Sequence, residues 1–190
     1  MKKLSFLITL VSILFGITAC SNPEKDLEIA KEAYLELNEV YKVVDIYASD
    51  TYSAWRHGIY EDNQSKFSLS LEVSLSSSEL IASVCAGLGI FDDFNYSTSC
   101  VIQSHEELGN YSAVQESLDK IKDLIKQLKD SKNEDANEYG DELQGYYSTV
   151  LNLFNLAKEY SGSFNSIQID IREYRNQANQ YKNDLEFDLG

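Results

Sequence analysis

Apolar side chains recur along this chain at alternating steps of three and four residues, over stretches too long and too regular for strands. The first seam runs Leu27, Ala30, Tyr34, Leu37, Tyr41, Val44, Ala48, Thr51 and Trp55. Ahead of it, Asn22-Pro23-Glu24 fits a helix start, with Asn as N-cap, Pro at the first helical position and an acid in the first turn. A helix over residues 23–60 is predicted, a rod of roughly 55 Å at 1.5 Å per residue. Gly58 and the polar run Glu61-Asp62-Asn63-Gln64 close it.

A second seam comprises Tyr111, Val114, Leu118, Ile121, Ile125 and Leu128, with Glu116 and Lys120 as a supporting i,i+4 pair. A third follows the polar stretch Ser131–Asn133: Ala136, Tyr139, Leu143, Tyr146, Val150, Leu153, Ala157 and Tyr160. Phe164, Ile167, Ile171, Tyr174, Ala178, Tyr181 and Leu185 continue in the same phase across Ser161-Gly162-Ser163. Two helices meeting in a hairpin are favoured there over one long helix through 134–187, because Gly and two Ser weaken a helix interior.

The middle of the chain carries a mixed signal. Phe67, Leu69, Leu71, Val73 and Leu75 alternate with polar residues at the period of a half-buried strand. Ser76-Ser77-Ser78-Glu79 fits a capping box opening a helix through Leu80, Ile81, Val84 and Leu88. A lone strand is not stable, and only the short Ser99–Ile102 run could pair with it. Residues 66–90 are therefore read as helical, with a small β-hairpin of 66–76 and 99–103 as the alternative. The fold expected is all-α: an antiparallel bundle of three to four long heptad-patterned helices. Eight tyrosines in the seams imply a thin, partly wet core, because each buried hydroxyl needs a partner. A ligand groove lined by those rings is the less favoured reading.

The N-terminus has a different pattern. Met1-Lys2-Lys3 is a short basic stretch, and Leu4–Thr18 is apolar and uncharged, suiting a secretory h-region and short for a membrane span of ~20 residues. It ends at Ile17-Thr18-Ala19-Cys20. A small residue before a cysteine at this place resembles the lipobox of bacterial lipoproteins. The resemblance implies cleavage before Cys20, thioether lipidation of its sulfur and acylation, palmitate among the candidate chains, of the new N-terminus. Residues 1–19 would then be a signal peptide and 20–190 one extracytoplasmic domain held at the cell membrane. In length and signal design the chain is similar to small surface lipoproteins of low-GC Gram-positive bacteria and their phages. Trp55-Arg56-His57-Gly58-Ile59-Tyr60 adds a faint likeness that transfers no residue role.

Charge narrows the partners. Sixteen basic residues stand against 31 acidic ones, a formal charge of −15, and removal of Lys2 and Lys3 with residues 1–19 makes it −17. So acidic a chain (pI about 4.4) does not suit nucleic acid, which is held by Lys and Arg on phosphates. Nor does it suit lying flat on anionic lipid.

Candidate chemistry is sparse. With Cys20 lipidated, Cys85 and Cys100 remain, and outside the cell such a pair commonly forms a disulfide; two buried free thiols are the rival reading. His57 sits at a helix end beside Arg56, and His105 beside Glu106-Glu107 as a solvated residue would. Ser117-Leu118-Asp119-Lys120 matches the Ser-x-x-Lys pattern of penicillin-binding enzymes but has no Lys-Thr-Gly partner, and Leu118 belongs to the seam. Asp135-Ala136-Asn137-Glu138-Tyr139-Gly140 begins like a calcium loop, yet Tyr146 occupies the position of the bidentate Glu. Glu134, Asp135, Glu138, Asp141 and Glu142 more simply decorate a helix N-terminus, and Asp92-Asp93 with Asn95 reads as a polar loop. No catalytic residue, metal site or cofactor is expected. The function expected is non-enzymatic: a lipid-anchored bundle engaging a protein or peptide near the outer face of a membrane. An immunity or exclusion role, sequestering a cationic peptide or blocking phage, is the alternative; an envelope enzyme accessory is the second.

Overall fold

In a computed structural model the described residues are 22–60, 94–159 and 163–189. Five helices form among them: α1 (Pro23–Tyr60), α2 (Phe94–Glu107), α3 (Asn110–Lys129), α4 (Glu134–Lys158) and α5 (Phe164–Leu189). The fold is an all-α bundle, and each heptad seam becomes a buried stripe. In α3 all six seam residues, Tyr111 to Leu128, are buried. In α4 the same holds for Ala136, Leu143, Tyr146, Val150, Leu153 and Ala157, and in α5 for Ile167, Ile171, Ala178 and Leu185. Burial of these side chains is the main stabilising term, about 1.5–3 kcal/mol for each large one.

Helix ends follow local chemistry. At α1, Asn22 accepts from Lys25 N through Oδ1 and from Asp26 N through its carbonyl. At α4, Asn133 Oδ1 accepts from Asp135 N. At α5, Ser163 and Ser166 bond reciprocally: Ser166 N donates to Ser163 Oγ, and Ser163 N donates to Ser166 Oγ. That capping box starts a new helix, so 134–187 is two helices packed against each other and not one. Between α2 and α3 the chain turns through Gly109, at φ 73°, a conformation that glycine adopts without penalty.

Long-range contacts fix the topology. Tyr146 pairs with Asn38 and Thr51 Oγ1 donates to the Ala157 carbonyl, so α4 runs parallel to α1. Lys120 bridges to Glu32 and Glu36, and Ser131 reaches Asp26, so α3 runs antiparallel to α1. Tyr34 to the Lys182 carbonyl, with Arg175 to Asp45, does the same for α5. From α3 to α5 the helices alternate in direction, and the parallel pair α1 and α4 packs directly together. Helices α3 and α5 each pack on both of them.

One expectation about the fold needs correcting. The hairpin is not borne out: Ser99–Gln103 lies inside α2, and residues 66–76, like the whole of the predicted helix of 66–90, lie outside the described residues. Thr98, Val101 and His105 are buried along one face of α2, at steps of three and four, and α2 packs on α1. A run of four residues was too short to establish a strand period. The tyrosine seam is core: Tyr34, Tyr111 and Tyr146 donate to Lys182 O, Ala157 O and Asn38 Oδ1.

Candidate functional site

The two ends of the bundle gather polar residues. At the end where α1 begins, α4 also begins and α5 finishes. Asp135, Glu138, Tyr139 and Glu142 of α4 and Asp188 of α5 line a cleft of about 180 Å³ there. The helix period places 135, 138, 139 and 142 on one face, and the antiparallel α5 brings Asp184 and Asp188 across to it. Burial raises the Glu142 carboxyl above its ordinary range, and the charges of Asp188, Glu138 and Asp184 push it further the same way. Glu142 Oε2 is buried without a hydrogen bond. Of the acidic block in the sequence, Glu134 and Asp135 occupy the first turn of α4, and Asp141 pairs with Lys129 at 2.7 Å. Among the described residues no three His, Cys, Asp or Glu side chains are placed to share a metal ion.

Toward the other end lies a buried polar group that sequence reasoning missed. His105, expected in solvent, is 1% exposed, and its Nε2 lies 3.3 Å from Oδ2 of Asp50, itself 4% exposed. His105 ends a buried stripe of α2, whereas Glu106 and Glu107 point to solvent because each residue turns about 100° around the helix. The rings of Tyr47, with centroids 4.3 Å apart, and Tyr111, at 5.5 Å, flank the imidazole in tilted contacts. Asn110 Nδ2 donates to His105 Nδ1 across 3.0 Å. Burial raises the Tyr47 phenol to about 12 and the Tyr111 phenol further, with the Asp50 carboxylate adding to both. The signal available was Thr98, Val101 and His105 at helical spacing.

The remaining candidates are scattered. Ser117 Oγ donates to the Ala113 carbonyl and Lys120 is held by Glu32 and Glu36, so the Ser-x-x-Lys pair is not joined by a hydrogen bond. Cys100 is disulfide-bonded; Cys85 lies outside the described residues, so the Cys85–Cys100 pairing stays a proposal. Cys20, the leader and Asp92-Asp93 also lie outside them, and of the His57 and Asn95 side chains nothing is described. No described helix is long and apolar enough to cross a membrane. Compared with protein-family models, curated proteins and solved structures, the chain matches none.

Proposed function

We propose that the protein is a surface lipoprotein, anchored to the cell membrane through Cys20, whose bundle binds a cationic peptide or protein at the extracytoplasmic face. The observation that carries the reading is the placement of the acidic cleft. Asp135, Glu138, Glu142 and Asp188 lie at the end where α1 begins, and α1 begins three residues after Cys20. No Gly/Ser-rich tether separates the two, so the anchored end and the acidic end coincide. A basic peptide approaching the bilayer meets crowded carboxylates there, and Lys or Arg side chains relieve the repulsion within the cleft.

Two experiments test this. Cys20→Ser is expected to leave the protein uncleaved or shed, as read by membrane fractionation; normal retention argues against the anchor. Binding of an oligolysine probe to the full chain is expected to weaken with salt and to fall about tenfold in Glu138→Lys/Asp188→Lys. Binding that ignores both salt and these substitutions removes the cationic partner. Cells lacking the protein are then expected to be more sensitive to cationic peptides.

A further inference from the structure

We propose that α2 is a hinged flap: it lifts off α1 about Gly109 while α3, α4 and α5 stay packed, and lifting brings Asp50 and the Tyr47 ring to water. The apolar contact that holds it down is small. Among the described side chains of α2, Val101 is buried and apolar and Ile102 is half-buried, whereas Thr98 and His105, which complete the buried stripe, are polar. The neighbouring α3 buries apolar side chains in every turn from Tyr111 to Leu128.

Polar groups oppose the docking. Among the described residues Asp50 is the one buried carboxylate, and it lies under α2. Both of its oxygens and His105 Nε2 are shut off from water without a hydrogen bond. The 3.3 Å approach of Nε2 to Oδ2 supplies attraction without the alignment of a good hydrogen bond. A buried polar atom left unbonded loses its hydration, and that loss is recovered when the helices part and water reaches both groups. The ring nitrogen that is satisfied, Nδ1, meets Asn110 Nδ2 at 3.0 Å, on the α3 side of the corner and not on α1. The tilted contact of the Tyr47 ring with the imidazole works the other way and favours the closed form.

The corner leaves the flap free to turn. The backbone ladder of α2 ends where Gly109 N donates to the Glu106 carbonyl, and that of α3 begins where Ala113 N donates to the Gly109 carbonyl, so one residue joins the two. Gly109 stands at φ 73°, and nothing lies within 4 Å of the place a Cβ would take, so its dihedrals change without side-chain hindrance. Tyr111 keeps its own anchors when α2 leaves: its hydroxyl donates to the Ala157 carbonyl and its ring meets Phe154 edge-on. The disulfide of Cys100 does not bolt α2 to α1, because neither of the other cysteines, Cys20 and Cys85, belongs to α1.

Once off α1, the 14 residues of α2 are too few to hold a helix in water, so lifting is read directly in amide exchange. The test is native-state hydrogen exchange of the full chain over a series of urea concentrations below unfolding. Residues 98–107 are expected to exchange as a unit, with protection lower than that of residues 114–128 by about tenfold or more and with a weaker urea dependence than global unfolding. Equal protection of the two helices overturns the flap. So does a graded loss running inward from Phe94 that leaves 104–107 as protected as α3, which is fraying of one end. In Asp50→Leu/His105→Leu the unbonded polar atoms are gone, and the difference between α2 and α3 is expected to shrink to about threefold or less; an unchanged or wider difference overturns the proposal. Should that variant fail to fold, the urea series on the parent chain decides by itself.

Discussion

The two ends of this bundle hold carboxylates in opposite ways. At the α1 start, Asp135, Glu138, Glu142, Asp184 and Asp188 crowd a cleft open to water, where repulsion is screened and each charge matters little to stability. Toward the other end, one carboxylate, Asp50, is buried against one imidazole among aromatic rings. There the medium no longer screens, so the arrangement has one partner and little tolerance for losing it. The contrast separates two uses of acid in one fold: many exposed charges suit a surface that attracts, and one buried charge suits a contact that is either made or broken.

The largest expected effect breaks the buried end. His105→Ala leaves the Asp50 carboxylate buried without its neighbour and is expected to destabilise the protein by about 3–5 kcal/mol, read by urea denaturation. The double variant Asp50→Leu/His105→Leu removes the charge along with its partner and is expected to lose less than His105→Leu alone. A double variant as unstable as the two single losses added together would mean that the pair has no coupling.

Between the ends, Gly145→Ala tests the close approach of α4 and α5. A Cβ there would stand 2.5 Å from the Tyr181 hydroxyl and 2.6 Å from its ring, and Tyr181 stacks on the fully buried Tyr146. Overpacking of about 1–3 kcal/mol is partly offset by the roughly 0.5–1 kcal/mol that Ala gains over Gly in a helix. A net loss of about 1 kcal/mol in thermal or urea unfolding is expected. Gly140→Ala meets chiefly the flexible Lys129 side chain, with Cγ at 2.7 Å, and is expected to be better tolerated.

What the sequence disclosed follows the same division. The long seams were legible because apolar residues at three-four spacing have one good solution, and α1 forms over 23–60 with its Asn22 cap as the pattern required. The break before α5 was legible in Ser161-Gly162-Ser163, although the unbroken register argued the other way. The buried pair was not legible. His105 stands between a serine and two glutamates, and Asp50 carries a charge, so composition alone puts both in water. Only the docking of α2 on α1, which depends on tertiary contact, removes them from it. The acidic cleft was half legible: the period of α4 aligns 135, 138 and 142, but nothing local brings Asp184 and Asp188 across from α5.

The smallest expected effect sharpens the open end. The Glu142 carboxyl is raised above its ordinary range by burial and by three neighbouring acids, so the folded form holds its proton more tightly than the unfolded chain does. Burial of the charge, with the repulsion added to it, therefore weakens the fold at neutral pH, and both fade as the pH falls through the carboxylate range. Glu142→Gln removes one of the crowded charges and is expected to stabilise the protein at pH 7 and low salt by roughly 0.5 kcal/mol, after allowance for solvent screening. The gain is expected to shrink in high salt and to vanish at acid pH, where the parent side chain is already neutral. His105→Ala is expected to keep most of its effect in the same salt series, because no ions enter the buried site. Equal salt sensitivity at both substitutions would show that the two ends hold their carboxylates alike, and the comparison between them would fail.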